Sequence, residues 1–314
     1  MPEINFNDAQ QALGFIEPQL LRIETEVYQT RYPSFDYSRL MFVNTDGGMW
    51  DAGSVFYSGD IAGAAQFLSG KGVDMPYAEV ARNQHLQANH FAGIGYEWSL
   101  QELQRAATLG RNLGSDKALA ASKVAESFLY AIAVRGAAEK NLTGLVNDAN
   151  IPAAAVMADG TGSGTAWTTK TADQINRDVN SALNAPLNAT RETHRANTLL
   201  LPTSRLQYLA QTRMGDTTDT LLKFIKANNS WTLETGQPLT LIGSRELETA
   251  GGSGSARMIA YDNSREVLQF HLPGPHEFLP AFQKSPMLWE VAGIMNVGGV
   301  EIRLPKAIAY RDGI

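Results

Sequence analysis

Gly95-Tyr96-Glu97-Trp98-Ser99-Leu100-Gln101-Glu102-Leu103 is where an extended chain turns into a helix. Ser99 at the N-cap and Glu102 three residues on form a capping box, in which each side chain takes a backbone N–H that the first turn leaves unpaired. Trp98 and Leu103 flank the box at the positions of a hydrophobic staple. Downstream, Ala121, Val124, Ala125, Phe128 and Ile132 recur at helical spacing and read as a core-facing stripe. Lys123, Glu126 and Tyr130 fall on another face. Gly110 and Gly114 bend or interrupt the helix. With 99–139 largely helical, the element would be about 50–60 Å long, which is a strut rather than an ordinary domain helix.

Upstream the character changes. Residues 1–40 read as an arm with a short helix over Gln19 to Tyr28, carrying Leu20, Ile23 and Val27 on one face and broken at Arg31-Tyr32-Pro33. Tyr37 to Asn44 reads as a strand, Asp46-Gly47-Gly48 as a turn, and Met49 to Tyr57 as the returning strand. Seven glycines lie between Asn44 and Pro76, against 28 in the whole chain. So glycine-rich a segment builds little core of its own. Its aromatics, Trp50, Phe56, Tyr57 and Phe67, therefore need another surface. That surface is either the hairpin's own domain or a neighbouring subunit.

Beyond the helix the pattern is α/β. Thr171-Ala172-Asp173-Gln174 is a second capping box, opening a helix towards Leu183. Ala196 to Leu201 reads as an apolar strand ended by Pro202. Helices are expected over Ser204 to Thr212 and Thr218 to Asn228, and strands over Leu239 to Gly243, Ala256 to Tyr261 and Glu266 to Leu272. Val300-Glu301-Ile302-Arg303-Leu304 alternates strictly, which marks a strand buried on one face.

Composition narrows the function. The 314 residues (34.1 kDa) contain no cysteine, which excludes disulfides, thiolate metal sites and thiol catalysis and fits a reducing compartment. No apolar run reaches a membrane span, and no basic-then-apolar leader opens the chain. Lys and Arg total 26 against 32 for Asp and Glu, a net charge of −6, so nothing basic draws the chain to nucleic acid. Charged residues are 18% of the chain, below the roughly 25% of an average domain. Either the surface simply holds few charges, or much of it lies in contacts.

No catalytic constellation emerges. The histidines, His85, His90, His194, His271 and His276, do not form a ligand pattern such as H-E-x-x-H, and His85 and His90 are expected on opposite sides of a sheet. Gly160-Thr161-Gly162-Ser163-Gly164 precedes a helix, but its spacing is not that of a dinucleotide fingerprint, and no Gly-Lys-Ser/Thr makes a P-loop. Gly251-Gly252-Ser253-Gly254-Ser255 fails in the same way. There is no G-x-S-x-G elbow. No cofactor and no metal is expected.

The order of arm, glycine-rich hairpin, strand, capped long helix, α/β unit and closing strand resembles the major capsid proteins of tailed bacteriophages, whose Hong Kong 97-type fold is shared with encapsulin shells. The stretch from Gly95 to Leu103 leads into the helix as in one branch of that family. Asn141-Leu142-Thr143-Gly144-Leu145-Val146-Asn147 looks like its "GL-N" turn. Gly299 to Pro305 and Tyr310-Arg311-Asp312-Gly313-Ile314 look like its C-terminal strand.

The resemblance implies an α+β fold: an N-terminal arm and first strand at 1–44, an extended E-loop hairpin at 45–76, a P-domain with spine helix at 77–144, an A-domain at 145–285, and a return strand of the P-domain at 286–314. It also implies self-assembly through pentamers and hexamers into an icosahedral shell enclosing double-stranded DNA without sequence-specific binding. The place of such a protein is the virion, assembled in the host cytoplasm. With only residues 1–44 before the hairpin, a separate scaffolding protein and a portal are expected as partners. The subunit-interface candidates are Trp50, Phe56, Tyr57, Phe67 and Lys71. Some members join subunits by Lys–Asn isopeptide bonds. Lys71 and Asn296 supply the residue types, but neither sits in a matching motif, and no cross-link is expected. Two alternatives remain: an encapsulin-like cargo shell, and a cytosolic α/β enzyme using the Gly160–Gly164 loop for an anion.

Overall fold

The computed structural model describes residues 36–62, 77–108, 113–215 and 218–314. After a 3-10 turn at Tyr37–Arg39 come strands β1 (Phe42–Asn44), β2 (Gly53–Ala62), β3 (Glu79–Ala88), β4 (His90–Gly93) and β5 (Tyr96–Ser99). Helices α1 (Leu100–Thr108) and α2 (Leu113–Arg135) follow, closed by the short strands β6 (Gly136–Ala137) and β7 (Leu142–Thr143). Next are β8 (Ala153–Ala155), α3 (Ala172–Ala189), β9 (Thr198–Pro202), α4 (Thr203–Gln211), α5 (Leu221–Ala227), α6 (Ser230–Thr235), β10 (Thr240–Ser244) and β11 (Arg257–Tyr261). The chain ends in β12 (Leu268–His271), β13 (Gly274–Phe278), β14 (Phe282–Ser285), β15 (Leu288–Val291), β16 (Gly293–Val297), β17 (Gly299–Ile302) and β18 (Ile308–Asp312).

A five-stranded mixed sheet, ordered β10-β9-β11-β18-β8, divides the interior. Strand alternation sorts its side chains into two cores. Leu199, Leu201, Met258 and Ala260 face α3, α4 and α5, where Trp167, Ile175, Val179, Leu209, Leu221 and Ile225 are buried. Leu200, Ile259, Tyr261 and Tyr310 face the other way, onto Ala125, Leu129 and Ile132 of α2 and Phe270, Met295 and Val300 of the smaller sheets. A strand covered on both faces needs a continuous apolar run, and Thr198-Leu199-Leu200-Leu201 supplies one. The smaller sheets are β1-β12-β17, β13-β16-β4 and β14-β15-β5.

The expected capping boxes are present. Ser99 N–H donates to Glu102 Oε2 (3.1 Å) and Glu102 N–H to Ser99 Oγ (3.2 Å). Thr171 and Gln174 exchange the same pair of bonds at the start of α3. The staple is different: Leu103 stays exposed, and Trp98 instead stacks on Tyr96, 5.6 Å away, and lies opposite Trp289.

The long helix ends earlier than expected, at Arg135 rather than 139. It comprises α1 and α2, with the glycine-bearing residues 109–112 between them outside the described residues. The 23 residues of α2 span about 34 Å. The helix stops at Arg135 because Gly136 takes a left-handed φ of 72° beside Leu142, where a Cβ would run into the Leu142 carbonyl oxygen. Its apolar stripe also divides. Ala121, Ala125, Leu129 and Ile132 are buried, whereas Val124 and Phe128 are 51% and 43% exposed.

Three further expectations are corrected. Tyr37 to Asn44 does not pair with 49–57. Its strand β1 runs parallel to β12 (Val43 opposite Phe270), because Val43 packs on the main core. The hairpin partner of β2 is β3, in register from Gly53–Ala88 to Ala62–Glu79. Gly47-Gly48 instead belongs to a tight loop that Asp51 closes by accepting from Gly48 N–H (2.6 Å). Val300 to Leu304 is not buried on one face only: Glu301 is 3% exposed. Finally, the closing segment ends inside the five-stranded sheet, where β18 pairs with β11 and β8. The expected arm helix over 19–28 lies outside the described residues.

Candidate functional site

The places where small-molecule chemistry was sought are structurally committed. In the first glycine loop, Gly160 N–H donates to Gly164 O (2.9 Å) and Ser163 N–H to Gly160 O (2.9 Å). Gly162 and Ser163 both have positive φ, as in a tight mirror-image turn. Thr169 fills the concave side: its Oγ1 stands where a Cβ on Gly160 or Gly164 would be. Next door the Asp159 carboxylate faces Lys170 (3.2 Å), whose ammonium also meets Asp178 (2.5 Å), while Arg177 pairs with Asp159. Two cations and two carboxylates leave no net charge to attract an anion.

The second loop is built alike. Gly254 N–H donates to Gly251 O (3.0 Å), and Gly252 N–H to Asp312 Oδ2 (3.0 Å). Arg257 clamps that carboxylate with two bonds of 2.7 and 2.8 Å, stacks on Tyr310, and donates to Val146 O. Burial pushes the Asp312 carboxyl up, but hydrogen bonds from Arg257 and Gly252 outweigh it and hold the group below its ordinary range.

The histidines are dispersed. His85 stacks on Phe56 (4.7 Å, 14°), His194 Nδ1 meets Asp262 (2.9 Å), and His276 packs edge-on against Phe278. His271 meets Glu301 in the β12–β17 pair. Among the described residues no three or more His, Asp or Glu side chains are grouped to hold a metal ion.

What the structure does offer, among the described residues, is exposed apolar surface. In the β2–β3 hairpin, pairing places Val55 opposite Leu86, Tyr57 opposite Gln84, and Gly59 opposite Arg82 on one face. Val80 continues that face. Val55, Tyr57, Val80 and Leu86 are all exposed, Tyr57 at 69% and Leu86 at 71%. The opposite face bears Ser54, Phe56, His85 and Gln87, and its root rests on the protein's own body. Arg303 lies over the Phe56 ring (5.2 Å), and the Gln87 side chain donates to Gly298 O.

The proposed interface residues therefore separate. Tyr57 points outward with the apolar face. Phe56 is half-buried against its own subunit. Trp50 is 79% exposed just before the hairpin, beside Phe91 (5.5 Å), itself exposed. Phe67 and Lys71 lie outside the described residues. Asn296 is fully buried on β16 and donates its amide N–H to Asp51 O (2.9 Å). Sequence reasoning passed over Val55, Val80, Leu86 and Phe91. The cue for Val80 and Leu86 was a period of two over 80–86, blurred by Arg82 and Gln84. It also assigned Val124 and Phe128 to the core, whereas with Ala120 they form an exposed stripe along α2.

Beneath the hairpin root lies a buried polar cluster. Glu301 accepts from Gln269 Nε2 (2.7 Å) and Arg303 Nε (2.8 Å) and pairs with His271. Burial pushes its carboxyl up, but the bonds from His271, Arg303 and Gln269 prevail and lower it to about 2. Gln269 reaches on to Asn44 of β1 (3.4 Å), so the cluster spans the whole β1-β12-β17 sheet.

A family model described as "Major capsid protein" matches residues 63–314. Among solved structures, the capsid of Myoviridae phage XM1 superposes with a TM-score of 0.78 at 14% identity, covering 95% of this chain and 98% of that chain. The capsid of an empty GTA particle gives 0.65 at 14% identity, over 98% and 99%. A virus-like particle from Pyrococcus furiosus gives 0.51 at 12% identity, over 87% and 91%. No curated protein matches the chain in sequence. At these identities the structural likeness is one of fold, and that fold is the Hong Kong 97-type α+β fold of phage capsid proteins.

Proposed function

The chain belongs to the major capsid protein family, and on that premise we propose that its activity is self-assembly, through pentamers and hexamers, into the icosahedral head of a phage enclosing double-stranded DNA. The observation that carries this reading is the outward face of the β2–β3 hairpin. A two-stranded ribbon is marginal in water, yet this one extends over ten residue pairs with Val55, Tyr57, Val80 and Leu86 exposed. An apolar patch of that kind marks an interaction site. The Ala120-Val124-Phe128 stripe of α2 in a neighbouring copy is a surface of matching character. Hairpin on helix is a heterologous contact, which closes into rings when repeated.

In this reading residues 1–44 are the arm, 45–76 the core of the extended loop, 77–144 and 286–314 the peripheral domain, and 145–285 the axial domain. The outer strand β3 continues the loop to Ala88, and β18 returns into the axial sheet. A separate scaffolding protein and a portal complete assembly in the host cytoplasm, and the product is the virion. The role is structural rather than enzymatic. A net charge of −6 suits an inner wall that must hold DNA without gripping its phosphates.

The test is negative-stain electron microscopy of the expressed protein after size-exclusion chromatography, with and without scaffold. Shells, rings or tubes in the void volume support the reading, and their contents distinguish a DNA head from a cargo compartment. Lone subunits at every concentration, scaffold included, would overturn it.

A further inference from the structure

The hairpin meets its own body at a small root, and the geometry there points to a further role for one residue. We infer that Arg303 sets the angle at which the β2–β3 hairpin leaves the body, by bonding Glu301 while its guanidinium stands over the Phe56 ring.

Arg303 is anchored at a fixed point. Its Nε donates to Glu301 Oε1 (2.8 Å), and Glu301 is itself held by Gln269 and His271 within a buried sheet. From that anchor the guanidinium reaches outward over Phe56 of β2, its Cζ 5.2 Å from the ring centroid. Phe56 is stacked on His85 of β3 at 4.7 Å and 14°. A force on the ring therefore acts on both strands. A second tie, from the Gln87 side chain to Gly298 O, falls two residue pairs closer to the body.

Together with the Asn296 bond to Asp51 O, this tie lies close to the body, so the ribbon can still swing about it. A second contact offset from the first acts as a stop. Glu79 to Leu86 of β3 is exposed throughout, whichever face each residue occupies. Beyond the Phe56–His85 pair, β3 thus gains no burial from its own subunit. The angle of the ribbon rests on the root, and Arg303 joins that root to the buried Glu301 cluster. The role calls for arginine. Lysine keeps the charge for Glu301 but has no planar face to lay on a ring.

The test measures the angle directly, in the full chain. With no native cysteine, Gln84→Cys on β3 and Lys306→Cys on the body take two nitroxide labels. Labelled protein is diluted into excess unlabelled chain in whatever oligomeric state it purifies. The distance distribution is then read by pulsed electron paramagnetic resonance. A single narrow distance is expected for the parent. Phe56→Leu and Arg303→Lys, which both leave Glu301 a cationic partner, should broaden the distribution about twofold or shift its mean. Arg82→Ala, on the far face of the ribbon, should leave it unchanged. If Phe56→Leu and Arg303→Lys are as narrow as the parent, Arg303 does not set the angle. If Arg82→Ala broadens it equally, the ribbon is loose for other reasons, and the inference falls. The readout is a distance within one chain, so its failure is separate from a failure to form particles.

Discussion

Glu301 shows what a strand pattern conceals at the scale of one residue. Strict alternation over Val300 to Leu304 placed its carboxylate in solvent. It is buried instead, because His271 and Gln269, some thirty residues earlier, stand beside it across the β12–β17 pair. Nothing local announces such partners. Since its folded-state pKa of about 2 lies below the ordinary value near 4.5, the ionised cluster contributes its full stability above pH 4.5. That contribution, roughly 3 kcal/mol, disappears as pH falls from 4.5 towards 2. Urea unfolding at pH 6 and pH 3 should show this loss, and Glu301→Gln should flatten much of the difference. An unchanged acid slope in the variant would mean that other carboxylates govern it. Glu301→Ala removes the shared acceptor of Gln269, His271 and Arg303, leaves buried donors unpaired, and should cost about 1–3 kcal/mol at neutral pH.

At the scale of elements, what was readable was whatever local chemistry determines. Both capping boxes stand as expected, because an N-cap and its N3 partner are three residues apart and need nothing else. Strands β9, β10 and β11 lie within two residues of the expected runs, whereas β8, exposed throughout, leaves no apolar run to read. Pairing was not readable. The Asp46-Gly47-Gly48 turn competes for the role of hairpin turn, and only the core decides that Phe42–Asn44 joins β12.

The end of α2 is a small structure in its own right. Asn147 accepts from Gly144 N–H (2.8 Å) and donates to Arg135 O (2.7 Å), tying the turn after the helix to the helix's last carbonyl. Asn147→Ala removes both bonds and should lower unfolding free energy by about 1–2 kcal/mol. The exposed stripe of α2 behaves oppositely. Val124→Asp or Phe128→Asp should change the stability of the lone subunit by no more than about 0.5 kcal/mol. The same change should stop assembly, since it puts a charge into a surface proposed to be dry. Calorimetry of dilute subunits together with microscopy separates these effects. Particles of normal yield from Phe128→Asp would remove α2 from the interface.

At the scale of the whole molecule, a chain with two buried cores still leaves Trp50, Tyr57, Leu86 and Phe128 in water. Isolated stability and assembled stability must then differ. Neighbours that bind only the folded subunit stabilise it by RT ln(1 + [L]/Kd), about 2.7 kcal/mol when free subunit is a hundredfold above Kd. At roughly 2–4 °C per kcal/mol for a chain of this class, Tm should climb by several degrees across a hundredfold rise in concentration. The double variant Tyr57→Asp/Leu86→Asp alters only the outward hairpin face. It should melt at one temperature at every concentration, equal to that of the dilute parent. Scanning calorimetry at matched concentrations reads both. A parent whose Tm is independent of concentration, or a variant that tracks it, would show that the hairpin face does not hold neighbours together. The shell would then have to close through the arm, α2 or the β14–β15 edge, where Phe282 is also exposed.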